Sequence, residues 1–193
     1  MALVGLIVPR PGGHERDPAP LAAVLHSRGV PSFTLPAVPE KIGRAWHDLA
    51  SQALAVAPPG SWGLFLHPDT VPAPDACAVL EKAMEGGPAL LVMTGTENGN
   101  RFEYDWWESA PDRRQLRYDE EGTLPYPFTG GFALPLQTLI SALPHVPFEK
   151  AGWGAGANIA LAHAVTSLQI PVKLVGDASY DVPPPRFRVK EAP

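Results

Sequence analysis

The sequence predicts a single α/β domain, a mostly parallel central sheet flanked by helices. Two observations predict it, and a third locates a candidate site. Short apolar runs bounded by turn-forming residues alternate with segments of helical periodicity, the order that builds parallel sheets from strand–helix–strand units. A chain of 193 residues with 45% hydrophobic content can bury one sizeable core. The apolar run Leu64-Phe65-Leu66 then stops abruptly at His67-Pro68-Asp69, followed by a Pro-rich turn and an amphipathic segment from Asp75 to Met84. That succession puts Asp69 in the crevice where open α/β sheets hold ligands.

Residues 2–8 are apolar and β-branched and end at Pro9-Arg10-Pro11-Gly12-Gly13, the pattern of a buried strand with a loop at its end. Residues 18–28 carry Leu21, Val24 and Leu25 at helical spacing, with Gly29 as a C-terminal stop, and residues 30–35 form the next strand. After a loop at 36–41, residues 42–56 read as a helix. Its apolar stripe is Ile42, Trp46, Leu49, Ala50, Ala53 and Leu54, which leaves Lys41, Arg44 and His47 nearer the polar side. Pro58-Pro59-Gly60 ends it. Beyond the central strand, Asp75 is the expected N-cap of a helix over 75–84, and residues 89–94 form another buried strand.

From 95 to 127 the character changes. Turn residues give way to Tyr104-Asp105-Trp106-Trp107-Glu108 and then to a mixed-charge run at 112–121. An irregular excursion of this length in a compact domain is commonly a binding loop or lid, whereas the charge run itself reads as a solvated face. Thr129-Gly130-Gly131-Phe132 then leads into an apolar strand. Paired glycines there permit close approach of the backbone to a ligand or to another strand. A short helix at 136–143, a loop at 147–153, a helix at 154–168 and a last strand at 170–175 complete a domain expected to span 1–182. Residues 183–193, beginning Pro183-Pro184-Pro185-Arg186, read as an extended basic tail.

Composition narrows the function classes. A formal charge of −5 gives no electrostatic case for broad nucleic-acid binding. The single Cys77 excludes an intramolecular disulfide and a multi-Cys metal site, and it falls on the apolar side of its helix as a buried, inert thiol. No run spans a bilayer, and the start lacks the basic flank of a signal peptide, so a soluble cytoplasmic protein is expected, or one in a host cytoplasm if viral. His14, His26, His145 and His163 show no zinc spacing. There is no Walker A loop and no Gly-x-Ser-x-Gly elbow, and Gly12-Gly13 is not a dinucleotide fingerprint. On the residues alone, Asp69 reads first as a solvated turn aspartate, and it also suits a divalent cation carrying a diphosphate.

Taken together, three stretches resemble the GT-A-fold glycosyltransferases, Rossmann-like enzymes that use nucleotide sugars, of the large inverting family 2 type. Leu64-Phe-Leu-His67-Pro-Asp69-Thr-Val-Pro-Ala-Pro-Asp75 resembles the strand that ends in the family's Asp-x-Asp. Thr129-Gly130-Gly131-Phe132-Ala133-Leu134 resembles the strand beneath donor sugar and acceptor. Gly152-Trp153-Gly154-Ala-Gly-Ala157-Asn158 resembles the Trp-Gly-x-Glu-Asp helix start that supplies the base. The resemblance implies a donor-binding half at 1–94 and an acceptor-binding half at 95–182. It implies Mn²⁺ or Mg²⁺ on Asp69, with His67 near the ribose or the metal and Asp181 (or Asp177) where relatives complete the metal shell. A nucleotide-sugar donor, expected to be a UDP-sugar, would meet Pro9, Arg10, Lys41 and Arg44, with Gly130 and Gly131 beneath its sugar.

Two departures qualify it. The first Asp of Asp-x-Asp is His67, which the residues alone read equally well as a strand-end histidine. The acidic pair of the third motif is Ala157-Asn158, and an amide cannot take a proton from a hydroxyl at neutral pH. Asp105 or Glu108, flanked by Trp106 and Trp107, is then the candidate base, with Asn158 left in the catalytic position; those tryptophans read equally as core or lid packing. The expected activity is sugar transfer to an acceptor hydroxyl, on a glycan precursor or a hydroxylated base in phage DNA. The alternatives are a GT-A domain that binds nucleotide or glycan without turnover, and an unrelated α/β nucleotide-binding enzyme.

Overall fold

The computed structural model describes residues 1–9, 17–37, 39, 41–97, 100–101, 106–107, 115–116, 131–145 and 156–181. The chain opens with β1 (Leu3–Ile7), α1 (Ala19–Ser27), β2 (Ser32–Thr34), α2 (Ile42–Leu54) and β3 (Trp62–Leu66). It continues through β4 (Val71–Pro72), α3 (Ala76–Met84), β5 (Leu90–Glu97), β6 (Asn100–Arg101), β7 (Trp106–Trp107) and β8 (Gln115–Leu116). It closes with β9 (Phe132–Pro135), α4 (Leu136–Ala142), a 3₁₀ turn at Leu143–His145, α5 (Gly156–Ser167) and β10 (Val172–Asp181).

The main sheet has eight strands in the order β2-β1-β3-β9-β5-β10-β4, with β6 folded back on β5. Strands β2, β1, β3, β5 and β10 run parallel, whereas β9 lies antiparallel between β3 and β5, and β4 antiparallel on β10. β7 and β8 form a separate two-stranded ribbon. The expectation of a mostly parallel sheet therefore holds for the path from β1 to β5, with one reversed strand inserted at the centre.

Strand period two sorts the apolar side chains into two layers. Val4, Leu6 and Val8, Phe65, and Leu90 and Val92 face one side with Trp46 and Leu49 of α2, Leu136 and Leu139 of α4, and Leu161 and Val165 of α5. Leu3 and Ile7, Leu64 and Leu66, and Leu91 and Met93 face the other side with Leu21 and Leu25 of α1 and Leu80 and Met84 of α3. Both faces are covered, which is why these strands are continuously apolar rather than alternating. Phe132 knits the first layer together. It stacks on Phe65 at 4.6 Å between centroids and meets Trp46 edge-on at 5.7 Å.

Three local expectations are corrected. The turn after Asp69 contains strand β4, because Pro72 sits at the sheet edge, where its missing N–H breaks no ladder. β10 does not stop at Val175. A bulge carries it past Gly176, Asp177 and Ala178, and pairing with β5 resumes at Ser179 opposite Thr94. Asp75 precedes α3 but makes no side-chain cap bond, since its backbone (φ −98°, ψ −3°) is already helical rather than extended. Cys77 is 5% exposed, as its place on the apolar face predicts. Among the described residues no helix is long and apolar enough to cross a membrane.

Candidate functional site

β1 leads through α1 to β2 on one side, and β2 leads through α2 to β3 on the other. The carboxyl ends of β1 and β3 thus flank a topological switch point, where α/β sheets leave a crevice. Here the two strand ends are cross-linked. Val8 N–H donates to the Leu66 carbonyl at 2.7 Å, and the Val8 carbonyl accepts from Nδ1 of His67 at 2.9 Å. His67 is only 4% exposed. Its own carbonyl accepts both the N–H of Thr70 at 3.0 Å and the Thr70 hydroxyl at 2.7 Å, closing a tight turn with Pro68 and Asp69 at its crest. Asp69 is half-buried, and its Oδ1 atom is shielded from solvent.

Beyond the turn, β4 brings β10 alongside. Asp181 lies opposite Val71 and Tyr180 opposite Pro72, so strand pairing sets Asp181 across from the residue two positions past Asp69. The Thr96 hydroxyl donates to Asp181 Oδ1 at 2.9 Å from the adjoining strand β5. Arg28, at the end of α1, holds the same corner from below with two guanidinium bonds, to the Ala73 carbonyl at 2.8 Å and the Pro72 carbonyl at 3.0 Å. Among the described residues no three His, Cys, Asp or Glu side chains converge as a metal cluster.

Gly131 opens β9 beside this corner. Its N–H donates to the Phe65 carbonyl and its carbonyl accepts from Met93 N–H, so it bridges β3 and β5. Its φ is +85°, and a Cβ added there would lie 2.2 Å from Cε1 of Tyr180. The close approach permitted by this glycine is thus that of a tyrosine ring from β10. Gly130 lies outside the described residues.

The other sequence candidates divide. Pro9 is half-buried at the end of β1, while Arg10 lies outside the described residues. Lys41 is extended (φ −129°, ψ 141°), and its carbonyl accepts the Arg44 and Ala45 amides at the start of α2. Arg44 is exposed, with Nε on Asp48 Oδ2 at 2.8 Å. Burial works against ionising Asp48, but the bonds from Arg44 and His47 outweigh it and hold the carboxyl below its ordinary range. Arg44 thus serves an ion pair on the α2 flank, where Asp48, Ser51 and Gln52 face Leu35, Pro36, Ala37 and Pro39 across a groove of about 480 Å³. Asn158 lies in the first turn of α5, of which the backbone is described. Asp105 and Glu108 fall outside the described residues, as does the tail at 183–193.

The structure adds Val8, Thr70, Thr96, Tyr180 and Arg28 to the corner. Val8, Thr96, Tyr180 and Arg28 carry no local mark, because each acts through a contact distant in sequence; Thr96 and Asp181 are 85 residues apart, whereas Thr70 bonds only three residues back, to His67.

No protein-family model matches the sequence, and no curated protein sequence does. Solved structures do match the fold. GalNAc-T7, solved with UDP, GalNAc and Mn²⁺, aligns over 100% of this chain and 40% of its own at a TM-score of 0.56 and 15% identity. TarS residues 1–349 from S. aureus, in complex with UDP, aligns over 95% of this chain and 60% of its own at 0.52 and 13%. A197 from STIV aligns over 95% of this chain and 82% of its own at 0.51 and 12%. The chain thus spans less than two thirds of the first two of these, 40% and 60%. It is a single α/β domain whose fold is that of the GT-A glycosyltransferases.

Proposed function

We propose that this protein is a nucleotide-sugar-dependent glycosyltransferase whose donor diphosphate sits at the carboxyl ends of β1 and β3. The observation that carries the reading is the pairing of β4 with β10. It sets a second carboxylate, Asp181, opposite Val71, two residues past Asp69. Two carboxylates are hard oxygen ligands of the kind Mn²⁺ and Mg²⁺ prefer, and a cation with few protein ligands suits a site where diphosphate oxygens complete the shell. The residues present therefore fit a cation held by Asp69 and Asp181. When bound, it would neutralise the charge that develops on the departing nucleoside diphosphate.

The chain's own groups divide the remaining work. Thr96 orients the Asp181 carboxylate, and Pro9, Arg10 and Lys41 are assigned to contact with the nucleotide. We assign residues 1–94 to donor binding and 95–182 to acceptor binding. Within the second half, Asp105 or Glu108 takes the acceptor proton, because Asn158 can orient a hydroxyl but cannot deprotonate it. A UDP-sugar is the proposed donor, and GalNAc-T7 and TarS, each solved with UDP, support that choice. The acceptor is a hydroxyl of a glycan precursor or of a modified nucleic-acid base.

The test is UDP release from a panel of UDP-sugars with Mn²⁺. Asp69→Ala and Asp181→Asn should each lower turnover by roughly 10²-fold or more, as loss of charge stabilisation at a leaving group does. Wild-type rates in both variants would remove the carboxylate assignment. The amide of Asn158 at the base position favours a second reading, a domain that binds donor without turnover. UDP bound with Mn²⁺ but released from no sugar nucleotide would establish that one.

A further inference from the structure

Deepening the donor reading above, we propose that His67 is a positioning residue: its imidazole ties the carboxyl end of β1 to the turn that carries Asp69, a role that needs a hydrogen-bond donor and that a carboxylate at this position cannot fill. Residue 8 is gripped on both sides of its peptide, by the Leu66 carbonyl on its N–H and by Nδ1 of His67 on its carbonyl. A carbonyl oxygen only accepts, so Nδ1 must carry hydrogen. The backbone carbonyl of His67 receives both the Thr70 amide and the Thr70 hydroxyl, which fixes the crest where Asp69 sits. One buried residue therefore couples the loop at Pro9 to the carboxylate at 69.

This differs from the role that the family resemblance implies for position 67, where an aspartate or its substitute faces nucleotide or metal. An aspartate here would set a carboxylate oxygen against the Val8 carbonyl with no hydrogen between them, and a buried pair of acceptors is unfavourable. The histidine is thus a change of task at this position rather than a worn remnant of the motif. Partners that orient ligating groups commonly matter to affinity nearly as much as the ligands do.

Asparagine and aspartate have the same shape and differ in donor capacity, so His67→Asn and His67→Asp in the full-length protein isolate the bond. Three readouts apply: ¹⁵N NMR of the wild-type imidazole, amide exchange at Val8 and Thr70, and the Kd for UDP in the presence of Mn²⁺. Expected are hydrogen on Nδ1 in the free protein and exchange in His67→Asn within about threefold of wild type. In His67→Asp, exchange should be at least about tenfold faster, with UDP binding weakened by about tenfold or more. UDP binding in the Asp variant as tight as wild type would overturn the proposal, and so would hydrogen on Nε2 alone. If wild type binds no UDP, the donor reading fails on its own. The tie then stands on the imidazole spectrum and on the exchange difference between the two variants, and equal exchange overturns it.

Discussion

At the scale of single residues, the corner depends on contacts that leave little freedom. Gly131 combines a left-handed backbone with a tyrosine ring where its side chain would be. Gly131→Ala is therefore expected to cost about 2–4 kcal/mol, from the positive φ and the clash together. Adding Tyr180→Ala should relieve the clash and leave the backbone strain. Urea denaturation checks this, and a Gly131→Ala midpoint equal to wild type would contradict the packing of Tyr180 over β9. The sequence showed that the Gly130-Gly131 pair permits close approach but not what approaches, because Tyr180 arrives from β10 in a contact no local window contains. The same holds for His67. Its place at the end of an apolar run is legible, whereas its bond to Val8 spans 59 positions.

At the scale of elements, legibility followed the strength of local periodicity. The helix expected over 42–56 is α2 at Ile42–Leu54, and the strand expected at 2–8 is β1 at Leu3–Ile7, since each has a clear apolar repeat and a firm stop. The sequence reads β4 as a turn and ends β10 at 175, because Pro72 and Gly176-Asp177 carry turn chemistry and only pairing with each other and with β5 makes them strands. Arg28 braces β4 through two carbonyls, geometry that suits the planar guanidinium fork and not an ammonium. Arg28→Lys should therefore lose about 1–3 kcal/mol of stability, and amide exchange across residues 70–73 should rise while exchange in β1 stays unchanged. Uniform acceleration in both strands would argue that Arg28 supports the whole fold rather than this edge.

For the whole molecule, stability carries a pH signature from a residue outside the site. Burial pushes the Cys77 thiol above its ordinary 9.0, with only partial relief from the Arg28 guanidinium. The unfolded chain then releases this proton near pH 9 and the folded chain only at higher pH. The thiol's contribution is therefore complete below about pH 9 and fades as pH climbs through the folded value. The stability difference between wild type and Cys77→Ala should be constant from neutrality to mild alkali and should shrink beyond it. A difference independent of pH throughout would show that the thiol is more accessible than its packing indicates. The fold class was legible from the order of segments, but the sheet order was not, since adjacency across a sheet is decided by long-range pairing that composition and period do not encode.

The reversed strand β9 has a consequence for how the molecule comes into being. β3 and β5 never touch as neighbours; each waits for Phe132–Pro135 to slide between them. A nascent chain leaving the ribosome can assemble the β2-β1-β3 unit early, yet its middle seam stays open until more than thirty further residues beyond β5 have emerged. Gly131 and β9 then close that seam, and β10 with Tyr180 and Asp181 emerges after them, so the corner at β4 and β10 is finished only by the latest described segment to leave the ribosome.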